Sequence, residues 1–376
     1  MMDKVKNLVY SLMFLIFIFG ISLWNMITPD KSISESENRP LQQFPKFTWE
    51  RLASGKFTSE FDEYMTDQFV FKDDWVGVKS DVERLLLKGK NNGVYFGKQG
   101  YLLEEFLTPG KYFIRNLDSI NAFHKKLPYL NTEVMLIPTA VEIYKELLPL
   151  YAPTYDQNLM LKQASATLSV DLIDVYSVLE AHKSEYIFYK TDHHWTTLGA
   201  FYAYQSLMGA IGEQAYHLED FNIKQVSDSF YGTYYSKANN HHLQPDSMDI
   251  FIPKTDVSFS VSLNGEEVSL DGLYDYNYLN QKDKYSMFLG GNQPLTIVKS
   301  SINNGRKLVV FKDSYAHSLV PFLALHFEEI HLIDLRYFNM NPYEYIRDES
   351  FDQALFLYNL STFGSEPNLI KLQSYN

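Results

Sequence analysis

Not one cysteine occurs among the 376 residues. That absence excludes thiol nucleophiles, disulfide staples and cysteine-ligated zinc, and it is compatible with a place outside a bacterial cytoplasm. Basic residues are also in short supply: 33 Lys and Arg face 46 Asp and Glu, a net charge of −13. Nucleic-acid binding begins with phosphate neutralisation, so the charge argues against a nucleic-acid partner and mildly disfavours a strongly anionic polymer. Internal repeats and low-complexity tracts are missing as well. What remains is an ordinary globular balance, 45% hydrophobic against 21% charged, in a chain long enough for one large domain or two smaller ones. The 28 Tyr and 27 Phe could serve a glycan-binding surface, although Tyr-rich cores are the commoner reason for such a count.

The N-terminus carries the one long apolar run. From Leu8 to Trp24 only Ser11, Gly20 and Ser22 interrupt it, and the apolar character continues to Ile27. About 20 residues at a rise of ~1.5 Å span the ~30 Å of a bilayer's hydrocarbon. Lys4 and Lys6 precede the run, which places residues 1–7 in the cytoplasm by the positive-inside tendency, with Trp24 near the outer interface. A cleaved signal peptide is the alternative, but bulky Trp24-Asn25-Met26-Ile27 offers no small-x-small cleavage site. The expectation is a single-pass anchor over 8–27, a proline-containing tether over 28–47 and an extracytoplasmic domain over 48–376.

Within that domain, helical spacing marks Phe57, Phe61 and Tyr64, then Val78, Val82, Leu85 and Leu86, as two helices on the body of the domain. Val94-Tyr95-Phe96 and Tyr101-Leu102-Leu103 read as a hairpin. Helix and strand then alternate: a helix over about 110–127, strands at Glu133–Ile137 and Val170–Val175, helices over about 155–167 and 198–211. Strands follow at Leu308–Phe311, Ile330–Leu335 and Ala354–Tyr358, with helices at Ser318–Phe327 and Pro342–Arg347. Short apolar strands alternating with helices predict an α/β fold with a parallel sheet flanked by helices. Residues about 220–306 break the rhythm. Strict alternation at Val257–Leu263 and the Asn264-Gly265 turn predict an antiparallel β insertion on one edge.

Two stretches carry chemistry. In Asp192-His193-His194-Trp195, extended backbone would turn Asp192 and His194 to one side and His193, as a structural residue, to the other. A carboxylate orienting an imidazole is half of a hydrolytic triad. Ser314 follows an apolar strand and precedes a helix, the edge at which open α/β sheets place ligands. His194 as base and Asp192 as orienter would activate it, while an ordinary helix cap is the plain alternative. A second alternative is a metal held by Asp192, His193, His194, His241 and His242, although no helix-spaced histidine pair is present. Asn359 ends the last strand as Ser314 ends an earlier one, and Arg336 follows another. With Tyr315 they are the oxyanion or substrate candidates. The Tyr231–Ser236 stretch could line a groove or pack as a turn, and Gly290-Gly291-Asn292 is a loop.

Thr191-Asp192-His193-His194-Trp195-Thr196 resembles the signature of the DHHW family, related to the alginate O-acetylation proteins and to SGNH hydrolases. Glu37-Asn38-Arg39-Pro40, Phe230-Tyr231-Gly232-Thr233, Lys312-Asp313-Ser314-Tyr315-Ala316 and Asp334-Leu335-Arg336-Tyr337 look like the same family, so the resemblance runs from about residue 37 onward. It implies an SGNH-like fold in circularly permuted order, with Ser314, His194 and Asp192 as triad and Asn359 and a backbone N–H near Arg336 as oxyanion donors. Lys312 departs from the pattern by standing where a glycine is usual, and no glycine marks the second strand. The implied activity is O-acetyl transfer to a cell-surface or secreted polysaccharide without cofactor or metal, a membrane-bound O-acyltransferase supplying the acetyl groups. A carbohydrate esterase and a non-catalytic scaffold of a polysaccharide export complex are the alternatives.

Overall fold

A computed structural model describes residues 2–34, 39–240, 242–268, 270 and 272–374. Glu37, Asn38 and His241 lie outside the described residues. Two compact units emerge, divided after Lys88, with Asn239 and Asn240 returning to the first.

In the first unit, α1 (Met2–Ile27) is a continuous helix whose apolar side chains from Val5 onward are exposed, Ile21 only partly. Its segment Lys4–Ile27 is long and apolar enough to cross a membrane. Two further helices, α2 (Lys56–Asp67) and α3 (Lys72–Leu85), follow it. The segment expected to be a tether is tied down. Arg39 forms a forked ion pair with the buried Asp67, and the Gln42 N–H donates to the same carboxylate at 2.9 Å. The Arg39 guanidinium holds Asp67 well below the usual carboxylate range, against the opposing effect of its burial. Such a forked pair positions the chain more firmly than a single contact would.

The second unit is built on a seven-stranded sheet. Its strands are β1 (Asn131–Ile137), β2 (Phe259–Leu263), β3 (Glu266–Val268), β4 (Leu295–Ser300), β5 (Lys307–Lys312), β6 (Glu329–Ile333) and β7 (Gln353–Asn359), in the order β3-β2-β4-β6-β5-β7-β1. The four strands β6, β5, β7 and β1 run parallel. The other three are antiparallel, so the sheet is mixed and not the parallel sheet that the apolar strands predict. The reason is that β4 is hydrogen-bonded onto the free side of β6, with β2 and then β3 added beyond it, all three inside the 220–306 segment. A separate antiparallel pair, Phe221–Phe230 with Asp246–Pro253, accounts for the rest of that segment's strands. Residues 170–175 do not form a strand: one bridge, Val134 to Leu172, and two backbone hydrogen bonds are all the pairing they make.

Every residue of β7 is buried, as is all of β5 after Lys307, which is what full coverage of both faces requires. Helix α4 (Phe113–Lys126) sets Phe123 against Phe311 and Phe356, with ring centres 5.3 and 5.2 Å apart. Helix α5 (Thr197–Ala210) packs Phe201 and Tyr204 on Phe322 of α6 (Ala316–Leu323). Each such buried ring contributes roughly 1.5–3 kcal/mol. Helix α6 starts two residues earlier than the periodicity predicts, which leaves Pro321 inside it rather than in its first turn. The consequence for function is positional: β5 and β7 end side by side, at the edge where the chain leaves each strand for a helix.

Candidate active site

Ser314 sits in the turn between β5 and α6. The neighbouring Asp313 shapes that turn: its carboxylate accepts the Tyr315 N–H at 2.9 Å, the Asn359 N–H at 2.8 Å and the Asn359 side-chain amide at 2.7 Å. Asp313 therefore ties the serine turn to the end of β7. Burial pushes its carboxyl up to about 6 in spite of the backbone N–H groups and of Arg336 and Lys312 nearby.

The acid–histidine stretch is a bend, not the extended segment predicted. The Phe188–Trp195 bridge and the bond from the Tyr189 N–H to the His194 carbonyl close a tight loop over residues 189–194. Buried Asp246 secures its base by accepting the Lys190 and Thr191 N–H groups, both at 2.8 Å, and the Thr191 hydroxyl at 2.6 Å. Asp192 folds back so that its Oδ1 accepts the His194 N–H at 3.0 Å and contacts His194 Nδ1 at 2.5 Å. The other ring nitrogen, Nε2, lies 2.7 Å from Ser314 Oγ. Asp192, His194 and Ser314, the last 120 residues beyond the histidine, are thus joined by consecutive contacts.

The local turn, not strand alternation, brings the acid and base together, and it places His193 where alternation would not. The His193 ring lies against the His194 ring, 3.8 Å between centres, with Nδ1 3.5 Å from Asp192 Oδ2. Burial lowers the affinity of the His194 ring for a proton, and the neighbouring His193 lowers it further, to a pKa of about 4 against the pull of Asp192. His193 is the opposite case. Burial depresses it, but Asp192, Glu104 and Asp313 together raise it. Asp192 is held well below the usual carboxylate range by His193 and His194, which outweigh its burial. These shifts favour a neutral His194 ring beside an ionised Asp192, the states that proton abstraction from a serine would need.

Four further residues shape the site; Tyr285 and Asp246 give no signal in the sequence, and Gly232 and Thr233 give only their motif. Gly232 passes so close to Asp192 that a Cβ there would stand 2.2 Å from the Asp192 Cβ. The next residue, Thr233, donates its N–H to Asp192 Oδ2 at 2.7 Å. Tyr285 lays its ring on His194, 3.6 Å between centres and 10° from parallel, and points its hydroxyl at Ser318 Oγ, 3.0 Å away. Asp246 is the fourth. The Phe-Tyr-Gly-Thr motif is the one signal that could have found Gly232 and Thr233.

The remaining candidates divide. Tyr315 is buried, with its hydroxyl donating to the His193 carbonyl and its carbonyl accepting from Trp195 Nε1 at 3.1 Å. Asn359 caps the helix Leu360–Ser365. Its two amide hydrogens go to Asp313 at 2.7 Å and Thr362 Oγ1 at 2.8 Å, so this arrangement leaves no amide hydrogen for an oxyanion. Arg336 is clamped on Asp334 through Nε at 2.8 Å and Nη2 at 2.6 Å. Lys312 is buried, 2.7 Å from His317 Nε2 and 3.6 Å from Asp334, and its burial brings it down to about 8. The Gly290-Gly291 loop, with both glycines at positive φ, brings Asn292 Oδ1 to 3.4 Å from both Lys312 Nζ and Arg336 Nη2. Tyr231 packs on Tyr235 at 4.2 Å.

A metal does not fit the bend as it stands. Asp192, His193 and His194 bring potential ligand atoms within 4.8 Å of one another, but His194 spends both ring nitrogens on Asp192 and Ser314. His242 is exposed and His241 lies outside the described residues.

Known proteins share this fold. The crystal structure of a DHHW family protein from Eubacterium siraeum superposes with a TM-score of 0.64 at 27% identity, covering 76% of this chain and 96% of that one. PatB1 of Bacillus cereus, solved with a sulfonyl adduct, shares the fold: TM-score 0.60, 22% identity, covering 73% of this chain and 96% of PatB1. A curated relative, the probable alginate O-acetylase AlgJ of Pseudomonas putida, is 25% identical over 225 residues, which are 57% of this chain. The match spans 55% of AlgJ, about half its length. The DHHW family itself matches residues 130–333, more than half of the chain and inclusive of both the acid–histidine bend and the serine turn. This chain belongs to the DHHW protein family.

Proposed function

We propose that this protein is an O-acetyltransferase acting on a cell-surface or secreted polysaccharide through an acetyl-serine intermediate. The observation that carries the reading is the continuous contact from Asp192 through His194 to Ser314, 2.5 and 2.7 Å long. Ser314 Oγ attacks an acetyl ester and its proton moves to His194 Nε2. The donor's leaving oxygen takes that proton as the ester bond breaks, which leaves acetyl-Ser314 and a neutral imidazole. A sugar hydroxyl then attacks the acetyl carbonyl, passes its proton to Nε2, and departs acetylated while the proton returns to Ser314. Asp192 holds the imidazole ring and offsets its transient charge. The Ser314 N–H has no hydrogen-bond acceptor among the described residues, and it is the donor best placed to meet the oxyanion.

The family and the AlgJ relative support the acetyl chemistry and the glycan substrate. Acid and histidine precede the serine in sequence, the order of an SGNH-like enzyme in permuted form. Residues 1–7 stay in the cytoplasm, 8–27 span the membrane, 28–47 connect, and the region from 48 onward works outside with a membrane O-acyltransferase as acetyl donor. Lys4 and Lys6 before the apolar helix support that orientation.

The test uses the full chain in detergent. A fluorophosphonate probe labels the wild type and leaves Ser314→Ala unlabelled, and equal labelling of both overturns the serine assignment. Given an activated acetyl ester and candidate oligosaccharides, the wild type yields acetylated sugar. Acetate release with no acetylated sugar identifies an esterase, and neither product identifies a scaffold.

A further inference from the structure

Helix α3 leaves an apolar stripe in the open. Trp75, Val78, Val82 and Leu85 recur at helical spacing, and their exposures are 46, 55, 49 and 81%. Leu86 and Leu87 extend the stripe at 76 and 91% exposure. Away from the stripe the helix is engaged: Ser80 is buried and Arg84 donates to Asn240 Oδ1 at 2.9 Å. An apolar surface of this extent on a soluble face is unusual unless something covers it.

What covers it follows from where the helix begins. The Phe71 ring meets Trp24 edge to face at 5.1 Å, and the Val70 N–H donates to Asn25 Oδ1 at 2.8 Å. Trp24 and Asn25 stand near the outer end of the apolar helix α1. If α1 is the membrane anchor, on which this inference rests, α3 starts at the level of the lipid headgroups, where Trp24, Phe71 and Trp75 have the amphipathic rings that interface favours. Residues 72–88 hold four cations (Lys72, Lys79, Arg84, Lys88) and four anions (Asp73, Asp74, Asp81, Glu83). Lipid charge therefore provides no net attraction, and apolar burial is the driving force.

We infer that α3 lies in the outer membrane–water interface with Trp75, Val78, Val82 and Leu85 in the lipid, a second attachment that fixes the chain at the membrane surface. The absence of cysteine makes the test direct, because one introduced thiol is the only labelling site. Full-length Val82→Cys and Glu83→Cys, each carrying an NBD fluorophore, are reconstituted in phosphatidylcholine vesicles. The expected result is blue-shifted emission at position 82 with quenching by doxyl-labelled lipid several-fold stronger than at position 83. Replacing part of the phosphatidylcholine with an anionic lipid should leave that ratio unchanged. Equal exposure of both labels to an aqueous quencher, with the protein still in the vesicle fraction, overturns the inference. So does a label at 82 that neither quencher reaches, since a protein then covers the stripe. Protein that fails to float with the vesicles overturns the anchor reading instead.

Discussion

In the second unit two acid-x-histidine pairs join the acid to the ring, Asp192 with His194 and Glu329 with His331, and their surroundings differ; at the third such spacing, Glu180 and His182, the ring turns to Glu185 instead. Glu329 and His331 sit in the regular strand β6, where alternation turns both to one face and brings Oε1 to 2.6 Å from Nε2. The other ring nitrogen of His331 meets the Tyr345 hydroxyl at 2.6 Å, so the imidazole is saturated inside the fold. Asp192 and His194 sit in a bend, the acid takes Nδ1, and Nε2 is left for Ser314. Both histidines are buried and shifted toward the neutral form, burial being the main cause in each. Protonation state therefore does not separate them. The difference is what occupies the second nitrogen: the Ser314 hydroxyl in one pair, a packed tyrosine in the other.

Removing each histidine breaks the comparison most sharply. His194→Ala should lower acetyl transfer by about 10⁴-fold or more, as should Ser314→Ala, and the double variant should be no worse than either, because triad members act as a unit. His331→Ala should leave turnover within about a factor of three of wild type, since no group in its cluster touches Ser314 or His194. Initial rates with an activated acetyl ester decide the matter, and a His331 variant as inactive as the His194 variant would erase the distinction drawn between the pairs.

Gly232→Ala tests whether the position of Asp192, beyond its presence, separates the reactive pair from the structural one. The new methyl would stand 2.3 Å from Asp192 Oδ2, so the carboxylate has to move and His194 loses its registration. A displacement of about 1 Å typically costs about 10²-fold, and the loss should appear in kcat with little change in Tm. The structural pair predicts the reverse signature. His331→Ala strands the Tyr345 hydroxyl and opens a cavity, which should cost about 1–3 kcal/mol in urea unfolding.

Much of this contrast was legible in the sequence, and the rest was not for identifiable reasons. Val309-Val310-Phe311 followed by Lys312-Asp313-Ser314 placed Ser314 at a strand end, because continuous apolar runs belong to covered parallel strands. Asp192 and His194 were picked out by composition, though through the wrong geometry, since a residue pair two apart meets equally well across a bend. Tyr285 and Asp246 were silent, and Gly232 was marked only by its motif, because their contacts are tertiary, joining residues 29 or more positions apart. The antiparallel hairpin Phe259–Val268 was legible in the alternation and the Asn264-Gly265 turn, but its joining to the main sheet was hidden because alternation marks a strand and not its neighbour. Asn359 looked like an oxyanion donor because residue type does not reveal that Asp313 and Thr362 consume its amide.

The smallest effect expected is also the one that isolates His193. His194, at about 4 against an ordinary 6.5, keeps the base neutral across mildly acidic pH, so kcat/KM should hold until the pH approaches 4. The same depression has a stability sign. Between 6.5 and 4 the unfolded chain binds the proton that native His194 refuses, so this contribution is present above 6.5 and is lost as pH falls through that window. Asp313, raised from 3.8 to about 6, runs the other way: its contribution is present below 3.8 and lost as pH rises toward 6, which partly offsets the histidine between 4 and 6. Stability alone therefore blurs the two groups, whereas the rate profile reads the base directly. His193, 3.8 Å away and raised by Asp192, Glu104 and Asp313 against its burial, is the positive neighbour that disfavours a second proton. His193→Gln should move the acid limb of kcat/KM upward while leaving the neutral plateau near wild type. A limb that stays in place would show that burial alone keeps His194 neutral, and His193 would then resemble His331 more than it resembles its neighbour.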